Sequence, residues 1–222
     1  MTTSMSWSEP NAPTDSAAAR VRWGWLPHRP REPGEPLARG WLGQALGIEA
    51  DALPLVRDER GRPRLDGGLA GWDCNWRHSG DGLVVADGQG VQIGIDLERL
   101  RPRARALELA ARFFTAPELD WLHAAPSTAV RDHAFLRLWC AKEAVLKAHG
   151  HGVSFGLHRL RFGEDHRGSL HLMECDPELG TPEQWQLDEL QPAPGYLGAL
   201  AWRSRPQAVF GCRQSGGGRD NG

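Results

Sequence analysis

Residues Val91 to Glu98 read V-Q-I-G-I-D-L-E. Val91, Ile93, Ile95 and Leu97 leave one face, and Gln92, Gly94, Asp96 and Glu98 leave the other. Unbroken period-two alternation predicts a half-buried β-strand. Asp96 and Glu98 then stand one pleat repeat apart on one face, roughly 7 Å at ~3.3 Å per residue. Two carboxylates that close repel, and each raises the other's pKa, unless a cation lies between them. Gly94 beside them admits a ligand or another backbone. Such a pair is either a solvated outer face or a seat for Mg²⁺, which takes oxygen ligands and leaves positions for phosphate and water.

Upstream, Leu83 to Ala86 is apolar, and Asp87-Gly88 is a hairpin dipeptide. The two acids are therefore expected on the second arm of a hairpin. Val21–Leu26 and Trp72–Trp76 also read as strands, and Arg60–Leu65 reads as a loop from its Gly and Pro. Leu37–Leu46 has helical spacing and stops at Gly47. Downstream, a helix is predicted over Arg103–Phe113. A second runs from Ala116 to Ala124, where Thr115 and Glu118 form a capping box and Pro117 sits in the first turn. A third, Arg131–Ala148, carries the apolar stripe Phe135, Leu138, Trp139, Val145 and Leu146. Strands are predicted at Leu157–Phe162, Ser169–Met173, Gln184–Leu190 and Tyr196–Trp202. Strands, then helices, then strands again indicate an α+β fold, and no sequence repeat is evident.

Residues 1–19, rich in Ser, Thr, Ala and Pro, are expected to be a disordered leader without the features of a signal peptide. Residues 213–222 are expected to be a flexible tail. No stretch has the apolar length of a membrane span. The formal net charge is −2 and the pI is near 6.5, which argues against a general nucleic-acid binder. Cys74, Cys140, Cys175 and Cys212 form no C-x-x-C pair, so zinc and thioredoxin-like readings have no support. The thiols are expected to be reduced and the protein cytoplasmic.

The third helix contains W-C-A-K-E-A-V-L-K, Trp139 to Lys147. Glu143 shares a side of it with Trp139 and Lys147. The pair Glu143 and Lys147 is either an ordinary surface pair or a third carboxylate for the acid pair with a cation for phosphate. Asp73 to Asp81, D-C-N-W-R-H-S-G-D, ends in a turn, in which His78 is a plain turn residue or a phosphate donor. Arg62 in G-R-P has the same two readings.

In order along the chain stand G-R-P (Gly61–Pro63), N-W-R-H-S (Asn75–Ser79), I-G-I-D-L-E (Ile93–Glu98), R-F-F-T-x-x-E (Arg112–Glu118) and W-C-A-K-E-A-V-L-K (Trp139–Lys147). This set resembles the Sfp-type 4′-phosphopantetheinyl transferases, with their patterns G-K-P, F-N-x-S-H-S, G-[IV]-D-[IV]-E, F-F-x-x-x-E and W-x-x-K-E-[AS]-x-x-K. The resemblance implies two similar α+β halves in one chain related by a pseudo-twofold axis, here 20–100 and 101–212, with coenzyme A between them. It implies the holo-[acyl-carrier-protein] synthase type of reaction. Phosphopantetheine moves from coenzyme A to a serine of an acyl or peptidyl carrier protein, and 3′,5′-ADP is released.

By motif match, Asp96, Glu98 and Glu143 would hold Mg²⁺, and Lys147 would neutralise the transferring phosphate. Glu143, or water on the metal, would take the serine proton. Arg62, Asn75, His78, Ser79, Lys142 and Lys147 would face coenzyme A, with Arg31 the candidate for its 3′-phosphate. A monomer is expected, docking its carrier through Arg101, Arg103, Arg105 and Arg112. The chain departs from the family at Arg77 for Ser, Arg62 for Lys and Cys74 for Phe. Two other readings remain: a Mg²⁺-dependent nuclease or phosphoesterase, and a non-catalytic module that binds coenzyme A or a carrier protein. A Lys four residues after Glu143, rather than two, and the lack of a basic stripe count against the first. The intact acid triplet counts against the second.

Overall fold

The structure is a computed structural model that describes residues 21–205. The expected leader, the tail and Cys212 lie outside those residues. In chain order, β1 (Val21–Pro27) leads to α1 (Glu35–Leu46), the small hairpin of β2 (Leu55–Arg57) and β3 (Pro63–Leu65), then β4 (Trp72–Ser79) and β5 (Gly82–Gln89). After Gly90 come β6 (Val91–Arg99), α2 (Ala106–Phe113), α3 (Ala116–His123) and α4 (Thr128–His149). A second small hairpin, β7 (Leu160–Glu164) and β8 (Leu170–Cys175), precedes β9 (Gln186–Leu190) and β10 (Tyr196–Ser204). The expected α+β class is what the chain adopts.

Each half reads strand, helix, small hairpin, two strands, with two further helices, α2 and α3, ahead of α4 in the second. The first sheet has the order β1-β5-β4 and the second β6-β10-β9, so the same topology occurs twice. The sheet to which β6 belongs therefore begins at Val91 rather than after residue 100. The register repeats as well: Arg22 pairs with Asp87 and Gly24 with Val85, while Gln92 pairs with Arg203 and Gly94 with Ala201. V-R-W-G-W in β1 and V-Q-I-G-I in β6 hold equivalent positions. The repeat escapes a reading of the sequence because only Val and Gly are identical in it.

Both glycines are seats for helices. A Cβ on Gly24 would lie 2.2 Å from the Trp41 indole of α1. One on Gly94 would lie 2.1 Å from the Ala144 carbonyl oxygen and 2.4 Å from the Ala148 nitrogen of α4. At Gly94 the approaching group is thus helix backbone. The other face of β6 packs Val91, Ile93, Ile95 and Leu97 against Val84, Ala86, Tyr196 and Leu200. The strand is covered on both sides from Ile93 to Leu97 instead of being half-buried.

The expected hairpin does not form. Asp87 and Gly88 lie inside β5, the chain turns at Gly90 (φ 72°), and β6 leaves β5 to pair with β10. Asp87 is buried and takes two hydrogen bonds from the Arg22 guanidinium, at 2.9 and 2.5 Å, so the dipeptide serves a cross-strand ion pair. The edge of β6 left open is closed by side chains. Asp73, Asn75 and Ser79 of β4 accept the backbone N–H groups of Ile93, Ile95 and Arg99 at 2.9, 3.1 and 3.2 Å. The buried N–H groups of Ile93 and Ile95 are thus satisfied without a backbone ladder between β4 and β6.

The capping box at Thr115 and Glu118 starts α3 as expected. Ser127 accepts the Val130 N–H to start α4, which stops at left-handed Gly150 (φ 94°). α2 begins at Ala106, later than expected, and β3 occupies part of the expected loop. The main core lies where α4 packs on the second sheet. No helix among the described residues is long and apolar enough to cross a membrane.

Candidate active site

Gly94 lets α4 lie directly on β6, and that contact brings Glu143 and Lys147 to Asp96. Lys147 Nζ donates to Asp96 Oδ1 at 2.5 Å and to the Ile95 carbonyl oxygen at 3.2 Å. Asp96 is 1% exposed, and its Oδ2 is buried without a hydrogen-bond partner. Glu143 is also buried. Burial pushes its carboxyl above the usual carboxylate range, Asp96 pushes it further, and Lys147 and Arg77 oppose. Glu98, the next residue along the polar face of β6, is ion-paired with Arg103. Arg77 reaches in from β4, its Nε 3.5 Å from Asp96 Oδ1.

Among the described residues no three His, Cys, Asp or Glu side chains converge closely enough to hold a metal ion between them. The donor chemistry nonetheless fits a hard cation: carboxylate oxygens only, one of them buried and unpartnered, beside an acid that burial keeps from ionising readily. An unpaired buried carboxylate oxygen is costly, and a cation would satisfy it.

Several residues expected to face coenzyme A are otherwise engaged. Arg62 is buried, and its five N–H groups are spent within the protein. Nε donates to the Lys147 carbonyl oxygen, Nη1 to Asp73 and the Pro63 carbonyl oxygen, and Nη2 to Asp73 and the Ile93 carbonyl oxygen. It ties β3 and β4 to β6 and α4 and has no donor left for a phosphate. Lys142 is 0% exposed, ion-paired with Glu118 at 2.8 Å, and donates to the carbonyl oxygens of Leu157 and Leu160. Burial lowers its pKa to about 8 against the pull of Glu118. Glu118 also accepts the Phe162 N–H at 2.8 Å. The acid of R-F-F-T-x-x-E and the first lysine of W-C-A-K-E are thus the two ends of one buried strut. The side-chain oxygens of Asn75 and Ser79 are engaged in accepting backbone N–H groups of β6.

His78 remains exposed and stacks on buried His28, with ring centroids 4.6 Å apart. Burial and His28 lower its pKa, with Arg77 adding to the shift. Arg31 is exposed in the turn before α1, in a left-handed conformation (φ 74°). Of the arginines expected to dock a partner, Arg103 is held by Glu98 and Arg105 by Glu108, while Arg101 and Arg112 are exposed. Cys74, Cys140 and Cys175 are free thiols, and burial pushes Cys74 up to about 12. Sequence reasoning missed Asp73 and His28 and took Arg77 only as a departure. The alternation of 73, 75, 77 and 79 along β4 is the signal that places Asp73 and Arg77 toward β6.

The family model for the 4′-phosphopantetheinyl transferase superfamily matches residues 92–201. The 4′-phosphopantetheinyl transferase HetI of Nostoc is 34% identical over 192 residues, 85% of this chain and 77% of that protein. The chain belongs to the 4′-phosphopantetheinyl transferase superfamily. The transferase psf-1 of Bacillus pumilus is 32% identical over 163 residues, 72% of this chain and 66% of its own. The solved holo-ACP-synthase of Plasmodium yoelii aligns with 52% of this chain and 97% of its own, at 17% identity and a TM-score of 0.38. In this phosphopantetheinyl transferase the motif residues fall into two groups. Asp96, Glu143 and Lys147 meet at the α4–β6 crossing, whereas Arg62, Asn75, Ser79, Glu118 and Lys142 hold the crossing in place.

Proposed function

We propose that the chain transfers phosphopantetheine from coenzyme A to a serine of an acyl or peptidyl carrier protein, releases 3′,5′-ADP, and acts as a Mg²⁺-dependent monomer in the cytoplasm. The observation that carries this reading is Asp96. It is a buried carboxylate with one oxygen on Lys147 and the other unpartnered, beside Glu143, whose carboxyl burial and Asp96 push above the usual carboxylate range. Asp96, Glu98 and Glu143 would hold the divalent ion, which when bound neutralises charge on the diphosphate.

The protein's own groups then have distinct work. Lys147, held by Asp96 and the Ile95 carbonyl oxygen, would neutralise the negative charge that grows on the transferring phosphate. A serine hydroxyl is a weak nucleophile and needs a base in reach. Glu143, buried beside Asp96, is that base. The serine oxygen bonds to the phosphorus that carries pantetheine as the bond from that phosphate to the nucleotide breaks. The serine proton goes to Glu143. Arg31, an exposed cation, and His78, an exposed imidazole donor, are available for phosphates of coenzyme A.

The test is intact mass spectrometry of an apo carrier protein incubated with this protein, coenzyme A and Mg²⁺. The expected result is a gain of one phosphopantetheine, lost with EDTA and with Glu143→Gln, while the variant keeps wild-type circular dichroism. No gain on fatty-acid, polyketide or peptidyl carriers would sink the reading. Wild-type turnover by Glu143→Gln would remove Glu143 from the chemistry.

A further inference from the structure

β4 directs a row of side chains at β6. Asp73, Asn75 and Ser79 each accept the N–H of the residue twenty positions on. Arg77 stands in the same row opposite Leu97, and a guanidinium accepts nothing. It turns to Asp96 instead, 3.5 Å from the oxygen that Lys147 already holds at 2.5 Å. Two cations thus converge on Asp96 Oδ1 while buried Oδ2 has no partner. The Arg77 side chain is 45% exposed and makes no hydrogen bond among the described residues, so its donors are open to a ligand and it has room to swing. Its field also reaches Glu143, where it opposes the effect of burial.

We propose that Arg77 is a specificity-determining residue of this site, a resident cation that competes with a divalent ion for Asp96 and donates to the phosphates of the incoming ligand. The inference rests on the coenzyme A reading above for the identity of that ligand. A guanidinium suits the exchange. Its planar fork matches phosphate oxygens two at a time, and its weak hydration makes leaving a carboxylate for a phosphate inexpensive. Removing Arg77 therefore has opposite effects on two ligands. A metal ion gains an uncontested carboxylate, and a phosphate ligand loses a donor. A residue that merely supports the fold would shift both affinities in one direction.

The experiment compares the wild type with Arg77→Ser and Arg77→Gln. Mn²⁺ binding to ligand-free protein is read by electron paramagnetic resonance. Binding of coenzyme A and of 3′,5′-ADP is read by calorimetry in EDTA. Both variants should bind Mn²⁺ more tightly and the metal-free nucleotides more weakly, each by roughly fivefold, as one partly solvated charge at ~4 Å implies. Arg77→Ser also offers an acceptor opposite Leu97, so its thermal midpoint should hold or rise. Unchanged affinities in both variants would overturn the proposal. So would weaker Mn²⁺ binding in both, because Arg77 would then support the carboxylates rather than compete for them. A wild type that binds Mn²⁺ but neither nucleotide, with or without metal, would overturn the coenzyme A reading, and the Mn²⁺ comparison would still decide the role of Arg77 at Asp96.

Discussion

Arg62 and Asp73 form a buried, two-point ion pair at 2.8 Å, and both partners reach across to β6: Arg62 to the Ile93 carbonyl oxygen, Asp73 to the Ile93 N–H. Arg62→Ala leaves Asp73 as a buried charge without its main partner. Such a loss costs about 3–5 kcal/mol. Urea unfolding should show a loss of that order, while the folded variant keeps a near-normal Michaelis constant for coenzyme A. A normal midpoint with a raised constant would return Arg62 to the ligand. The sequence reads this residue differently because a cation in a Gly-Pro loop has the composition of a phosphate site. Which acceptors exhaust its donors depends on carbonyl groups of Ile93 and Lys147, which the residue types do not encode. Lys142 misleads in the same way. It stands beside Glu143 in a motif, yet one residue is a turn of about 100° on a helix, enough to send Lys142 to Glu118 and away from Asp96. Asp96, Glu143 and Lys147 are legible because strand alternation and (i, i+4) spacing set their directions locally.

Among the elements, the decisive contact is α4 lying on β6. α4 is legible from its apolar residues Phe135, Leu138, Trp139, Val145 and Leu146 and its glycine stop, although burial runs all round it and its start, capped by Ser127, lies three residues ahead of the expected Arg131. β6 is equally plain from its alternation. Their mutual distance is set by Gly94, whose missing side chain admits the Ala144 carbonyl oxygen and the Ala148 nitrogen. Gly94→Ala would force the helix outward. It should cost about 3 kcal/mol, the upper end of the overpacking range. It should also slow transfer on the order of 10²-fold, since Glu143 and Lys147 move with the helix while Asp96 stays. Thermal unfolding and single-turnover transfer on the folded fraction measure the two effects. A destabilised variant with wild-type turnover would show that the helix position is not what sets the site. The pairing of β6 was less legible. Asp87-Gly88 imitates a turn, and only a partner far away in sequence, Arg22, reveals that Asp87 belongs inside a sheet.

On the scale of the whole molecule, the chain builds one topology twice and gives it chemistry once. Where β6 has Asp96 opposite Ala199, β1 has Leu26 opposite Leu83. The first half thus lacks the carboxylate around which the second half arranges Lys147 and Glu143. The cross-strand polar pair is kept in both halves with different chemistry: Arg22 with Asp87 in the first, Gln92 with Arg203 in the second. Only the first of these contains a carboxyl group. Burial raises the Asp87 carboxyl above its ordinary value, and the Arg22 hydrogen bonds oppose but do not cancel this. The native state therefore holds that proton more tightly than the unfolded chain does. The stabilisation is complete below the unfolded value, near ~3.9, and is lost as pH rises through the native value. Each tenfold difference in proton affinity between the two states is worth ~1.4 kcal/mol. Asp87→Asn removes the titration. The wild type's advantage over Asp87→Asn in urea midpoint should therefore be larger at pH 4.5 than at pH 7.5. An advantage that grows toward neutral pH would mean that Arg22, rather than burial, governs the carboxyl. In that case the Arg22 guanidinium would outweigh desolvation at Asp87, and the first sheet would gain from its charge pair what its counterpart, with the neutral acceptor Gln92 facing Arg203, cannot supply.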